Sequence, residues 1–221
     1  MKTATMKEVF DRIAPGWYNF RHWTIFRREL EALARRWGGG KLLNVGCAHG
    51  PDFLPFREGF ELHGVDISPE MLKLAEKYAA KHGFTVKLAE ADARQLPYPD
   101  ATFDRALAVA TYHHLPGKEA QLAALRELFR VMKLGGEAFV TVWNRWQPRF
   151  WLRGKEVSVP WRTGGQTLLR YYYLFSYGEM VKLARRAGFE IIPLPVDGYR
   201  GPAKYFSRNV CLLLRKPGGG A

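Results

Sequence analysis

The chain reads as an α/β protein built on a doubly wound, mostly parallel sheet, and three observations predict it. From Lys41 to Ala110 short apolar runs alternate with helical patterns. A glycine-spaced turn, Gly46 to Gly50, directly follows the first run, so that backbone can approach a ligand closely. The second run ends in Asp66, an acid placed to accept hydrogen bonds from both hydroxyls of a ribose.

The elements follow in order. Met6, Val9, Phe10 and Ile13 form one helical stripe over residues 5–13, and Phe26, Leu30 and Leu33 another over 23–36, with Pro15-Gly16 predicting a break between them. Trp17 to Trp23 mixes large rings with Arg21: a packed loop with a snorkelling arginine, or a lid that stacks a base. Leu42, Leu43 and Val45 make the first strand, and Pro51 suits the first position of a helix. Glu61 to Asp66 is the second strand, with no basic residue beside Asp66 for a 2′-phosphate. Ser68 caps a helix to Lys81 whose Met71, Leu72, Ala75 and Tyr78 face inward. A third strand, Thr85 to Ala89, leads to Asp92 and Ala93, and a fourth runs from Phe103 to Ala110. The ligand of such a sheet belongs at the carboxyl ends of its strands.

His113 and His114 leave the fourth strand where a substrate would enter. They either pack a turn or supply a donor or base, and alternation along an extended chain predicts that one of them faces the cleft. A helix through Leu122, Leu125, Leu128, Phe129 and Met132 ends at Lys133 to Gly136, and Glu137 to Trp143 is the fifth strand. Residues 144–175 break the alternation and read as an insertion. Arg145, Arg149, Arg153, Arg162 and Arg170 interleave there with Trp161 and other rings, a pattern suited to pairing with phosphates while stacking bases, or to a crowded aromatic core. Ser176 and Glu179 form a capping box for a helix stopping at Gly188; Phe189 to Leu194 and Tyr205 to Arg215 are the last two strands, and 217–221 a disordered tail.

With 221 residues, 47% apolar and 14% aromatic, the chain suits one domain: a helical cap over 1–40, a core over 41–143, the insertion, and a closing helix and strands over 176–216. No apolar run reaches the roughly 20 residues of a membrane span and the N-terminus lacks a signal segment, which predicts a cytoplasmic protein. The two cysteines suggest thiols, not a disulfide or metal framework. The formal charge of +13 is uneven: residues 41–144 hold 12 Lys and Arg against 13 Asp and Glu, whereas residues 145–221 hold 14 against 4. A neutral core with basic flanks favours a polyanionic partner, nucleic acid before lipid.

From residue 42 to about 143 the motifs resemble those of the class I S-adenosylmethionine-dependent methyltransferases. The resemblance implies a Rossmann-like sheet of seven strands with the last reversed, S-adenosylmethionine as cofactor, and a cofactor site made of Asn44, Gly46, Ala48, Gly50, Asp66, Ile67, Asp92, Ala93 and Ala110. Two departures stand out: Asn44 where the family usually has an acid, and Ala48 where it usually has glycine. More narrowly, Phe10 to Pro15 with Arg21, the His113-His114 turn, Val159 to Trp161, Arg170 to Phe175, Tyr199 and Arg208-Asn209 resemble the tRNA methyltransferases that esterify 5-carboxymethyluridine at the wobble position. Here too there are departures, in Tyr173, Arg208 and Val210. That branch implies catalytic roles for Arg21, His113, His114 and Tyr172, the tRNA anticodon region as partner, and a small zinc-binding activator protein, the chain being a monomer or half of a heterodimer. An enzyme of the same fold acting on a quinone, lipid or carboxylic acid is the alternative, and a non-catalytic RNA-binding or assembly subunit a further one.

Overall fold

A computed structural model describes residues 5–197 and 201–218. The chain starts with α1 (Met6–Phe20) and α2 (Arg27–Trp37), then β1 (Gly40–Val45), a 3-10 turn at Pro51–Phe56, β2 (Phe60–Asp66), α3 (Pro69–His82), β3 (Lys87–Glu90) and β4 (Phe103–Val109). A second 3-10 turn, Tyr112–His114, leads to α4 (Lys118–Val131), β5 (Met132–Trp143), β6 (Glu156–Thr163), β7 (Gln166–Tyr173), α5 (Tyr177–Arg186), β8 (Glu190–Ile192), α6 (Ala203–Phe206) and β9 (Asn209–Arg215).

Seven strands form one sheet in the order β3-β2-β1-β4-β5-β9-β8. The first five pair in parallel, and β9 runs antiparallel to both β5 and β8. Alternate residues of the central strands feed cores on opposite faces: Leu43, Ala106 and Ala108 on one, Leu42, Leu107 and Phe139 on the other. Both faces are covered, which is why these strands read as continuous apolar runs. The strand order reverses at β1, opening a crevice at the carboxyl ends of β1 and β4. Among the described residues no helix is long and apolar enough to cross a membrane.

Local expectations are refined or corrected at several points. Pro15-Gly16 does not break the first helix, which runs through to Phe20. An interior proline costs a helix about 3 kcal/mol, but Val9, Ile13 and Ala14 are buried against Met71 and Leu168, and a capping box between Thr5 and Glu8 holds the start. Pro51 opens only a six-residue 3-10 turn. The insertion contains a hairpin, β6 with β7, closed by Gly164 and Gly165, both at positive φ as a two-residue turn of this kind demands. The box at α5 is half formed: Ser176 accepts from Glu179 N–H, while the Glu179 carboxylate takes the Tyr173 hydroxyl at 2.5 Å and Lys155 at 3.0 Å. Tyr205 lies in α6, not in a strand, and Tyr199 and residues 219–221 fall outside the described residues.

Candidate active site

A cavity of about 400 Å3 lies at the carboxyl ends of the parallel strands, roofed by α1 and β7. Its floor is the glycine turn. Gly46 sits at φ +70, where a Cβ would lie 2.4 Å from the Thr111 methyl group, so Thr111 as much as any ligand excludes a side chain there. Ala48 sits at φ 47, the left-handed region in which the family's usual glycine is at ease. Its N–H donates to Asp66 Oδ2 at 2.8 Å, and the Ser68 N–H donates to Oδ1 at 3.0 Å. Burial pushes the Asp66 carboxyl up to about 6 despite these donors. The Ile67 N–H also acts on this carboxylate, and Asp66 lines the cavity.

Asp92 is held by Arg94, through the backbone N–H at 2.8 Å and the guanidinium at 2.6 Å, and these donors lower its pKa. Between the two acids the wall is apolar, with Ile67, Met71 and Ala93. A diol-accepting carboxylate, a second acid and an apolar strip between them fit the ribose and purine of S-adenosylmethionine. Gly46, Ala48, Asp66, Ile67, Asp92, Ala93 and Ala110 all line this cavity. Asn44 and Gly50 do not. Asn44 is fully buried one residue below the floor, its amide nitrogen and oxygen both without a partner, and the Gly50 N–H closes the turn onto the Cys47 carbonyl at 2.9 Å.

Arg21, His113, His114 and Tyr172 meet at the far end of the same cavity. Both histidines reach it, contrary to the expectation of one, because they lie on a 3-10 turn and not on an extended strand. Among the described residues Arg21 has no ion-pair partner. Burial lowers its pKa, with Asp52 the nearby acid that opposes the shift. Its backbone carbonyl accepts a hydrogen bond from buried His49, a neutral ring that burial lowers to about 4. The Tyr78 hydroxyl holds the next carbonyl, that of His22, at 2.9 Å. His49 and Tyr78 were missed from sequence, although His49 stands within the glycine turn.

A ladder of cations and rings runs outward from this point. Arg21 lies 5.1 Å from the Trp17 ring, Arg170 is 5.4 Å from both Trp17 and Tyr172, Tyr172 stacks on Trp143 at 4.0 Å, and Arg149 covers Trp143 at 4.5 Å. Arg170 is 6% exposed, so it is part of the wall and not of an open RNA surface. Trp161 is half-buried against Trp17 at 5.2 Å. Arg149, Arg153 and Arg162 are exposed, and Arg145 is half-buried over Trp146.

Residues 42–136 match the family model described as a methyltransferase domain. A tRNA (carboxymethyluridine(34)-5-O)-methyltransferase of Arabidopsis thaliana is 32% identical over 61% of this chain and 31% of its own length. One of the same name from Schizosaccharomyces pombe is 25% identical, over 84% of this chain and 88% of its own. The chain thus spans under a third of the plant relative and most of the yeast one. The CcbJ methyltransferase of Streptomyces caelestis superposes with a TM-score of 0.78 at 19% identity, covering 97% of this chain and 100% of its own, a likeness of fold.

Proposed function

We propose that the chain, a class I S-adenosylmethionine-dependent methyltransferase, esterifies the carboxylate of 5-carboxymethyluridine at the wobble position of tRNA. The observation that carries this reading is Arg21, a guanidinium facing the cavity with no carboxylate paired to it among the described residues. A desolvated arginine without a directly paired carboxylate favours an anionic guest, and its fork matches a carboxylate. Two relatives named for this reaction and the basic flanks support the RNA substrate.

When bound, the cofactor supplies an electrophilic methyl group on a sulfonium. The protein's part is alignment. A carboxylate is already ionised at neutral pH and needs no general base, so two histidines held neutral by burial suit the site without withdrawing a proton. Arg21 would fix the attacking oxygen; Asp66 and Asp92 would hold the other reactant at the opposite end. Esterification removes the acceptor's charge, so Arg21 would grip product less tightly than substrate.

The test is methyl transfer from labelled S-adenosylmethionine to tRNA carrying unesterified carboxymethyl groups, with and without a zinc-binding activator, followed by nucleoside analysis. A methyl ester on the wobble uridine is expected. Demonstrated cofactor binding without incorporation in either condition would overturn the reading in favour of a small-molecule acceptor.

A further inference from the structure

His113 and His114 turn opposite hydrogen-bonding faces to the cavity, and their backbone partners fix which is which. The main-chain N–H of Trp143 donates to His113 Nδ1 at 3.1 Å. A backbone N–H can only donate, so this Nδ1 is bare and the neutral ring carries its proton on Nε2. His114 is reversed. Its Nδ1 lies 2.9 Å from the carbonyl oxygen of Tyr171, which can only accept, so Nδ1 is protonated and Nε2 of the neutral ring is an acceptor. Both rings line the cavity, and neither Nε2 is among the sealed, unpartnered polar atoms of the interior. Burial keeps the rings neutral, lowering His113 well below its ordinary value and His114 to about 4.

The rings stand 4.4 Å apart at 74°. Tyr172, against His113 at 4.9 Å and stacked on Trp143, forms a wall of ring faces beside them. Histidines that served packing alone would not need one nitrogen each locked by backbone and the other left to the cavity, with opposite polarity.

We propose that this pair reads the imide edge of a uracil base, His113 Nε2–H donating to O4 and His114 Nε2 accepting from N3–H. The proposal rests on the reading of the acceptor as a modified uridine and names how its base is chosen. Cytosine in the same position would set its N4 amino group against a donor and its bare N3 against an acceptor, two mismatches at once. A site built to hydrogen-bond a base edge rejects the wrong edge strongly, because its own buried groups are left unpaired.

The experiment uses anticodon stem-loop RNAs with 5-carboxymethyluridine, its N3-methyl derivative or 5-carboxymethylcytidine at one position. Binding is read by fluorescence anisotropy in the presence of S-adenosylhomocysteine, and methyl transfer by single turnover. The wild-type protein should lose at least about 30-fold in affinity for the N3-methyl base and more for the cytidine. His114→Ala should bring the N3-methyl penalty to within about threefold while weakening the unmodified base. Equal binding of all three RNAs by the wild type would overturn the proposal without any variant having to fold. So would a folded His114→Ala protein that keeps the full penalty. If the wild type bound its cofactor but neither bound nor methylated the 5-carboxymethyluridine RNA, the acceptor reading would fail first and this one with it.

Discussion

At the scale of single residues, chemistry at the site depends on groups held by backbone. Arg21 is aimed by its carbonyl contact with His49, so the two should fail alike and to different degrees. Arg21→Ala is expected to lower kcat/KM by at least 100-fold with the cofactor Kd changed less than threefold, and His49→Ala to show a weaker version of that split. Equal loss of turnover and cofactor affinity in Arg21→Ala would sink the role given to Arg21. Ala48 holds a left-handed backbone at φ 47 that costs a residue with a Cβ about 1 kcal/mol. Ala48→Gly should therefore raise Tm by a few degrees, read by calorimetry. Asp66 is pushed up to about 6 by burial, so it takes up a proton as pH falls through that value. Cofactor affinity should weaken between pH 7 and pH 5, and titration calorimetry of Asp66→Asn should show no such slope.

At the scale of elements, two contacts tie helices to the strands, one at the amino end of the sheet and one at the roof of the cavity. Glu137 in β5 accepts from Arg36 at 2.7 Å, Trp37 at 2.9 Å and Arg215 at 3.1 Å, joining α2 and β9 to the central strand. Burial alone would raise its carboxyl, but these partners outweigh burial and hold it down to about 2. Its folded pKa is depressed, so the stabilisation is present above about 4.5 and is lost as pH falls from there toward 2. Glu137→Gln should flatten that part of the stability curve and cost on the order of 2–3 kcal/mol at pH 7. The second contact is Trp161 of β6, wedged against Trp17 and Phe20 of α1 at 5.2 and 5.6 Å. Trp161→Ala should loosen the roof, seen as faster proteolysis near residues 17–26 while the melting of the core is little changed.

At the scale of the whole molecule, charge and fold are divided. The cofactor core is neutral and the flanks carry the excess of the +13. Binding of the proposed RNA substrate should therefore weaken at least about tenfold between 50 and 200 mM salt, whereas cofactor Kd should move less than twofold. An RNA affinity indifferent to salt would remove the basic flanks from the binding account.

The order of strands and helices from Lys41 to Trp143 was legible in the sequence because local pattern and tertiary burial agree there. Leu42 and Leu43 read as buried and are buried, one on each face, and Asp66 and Asp92 reach the cavity because strand ends fix their place. The sequence by itself thus determined the parallel core, the residues at the strand ends that line the cavity, and the uneven charge. Only the tertiary structure decided what lies over them. Packing on α3 and β7 carried α1 through Pro15 against its local propensity. Arg170, one more arginine among many in sequence, became a buried wall because the hairpin folds inward beneath Trp17. The histidine tautomers needed the Trp143 and Tyr171 backbones, 30 and 57 positions along the chain from their partners, to arrive within 3.1 and 2.9 Å. Periodicity reports which side of a local element is apolar; it carries no information about which distant donor or acceptor will meet a given nitrogen.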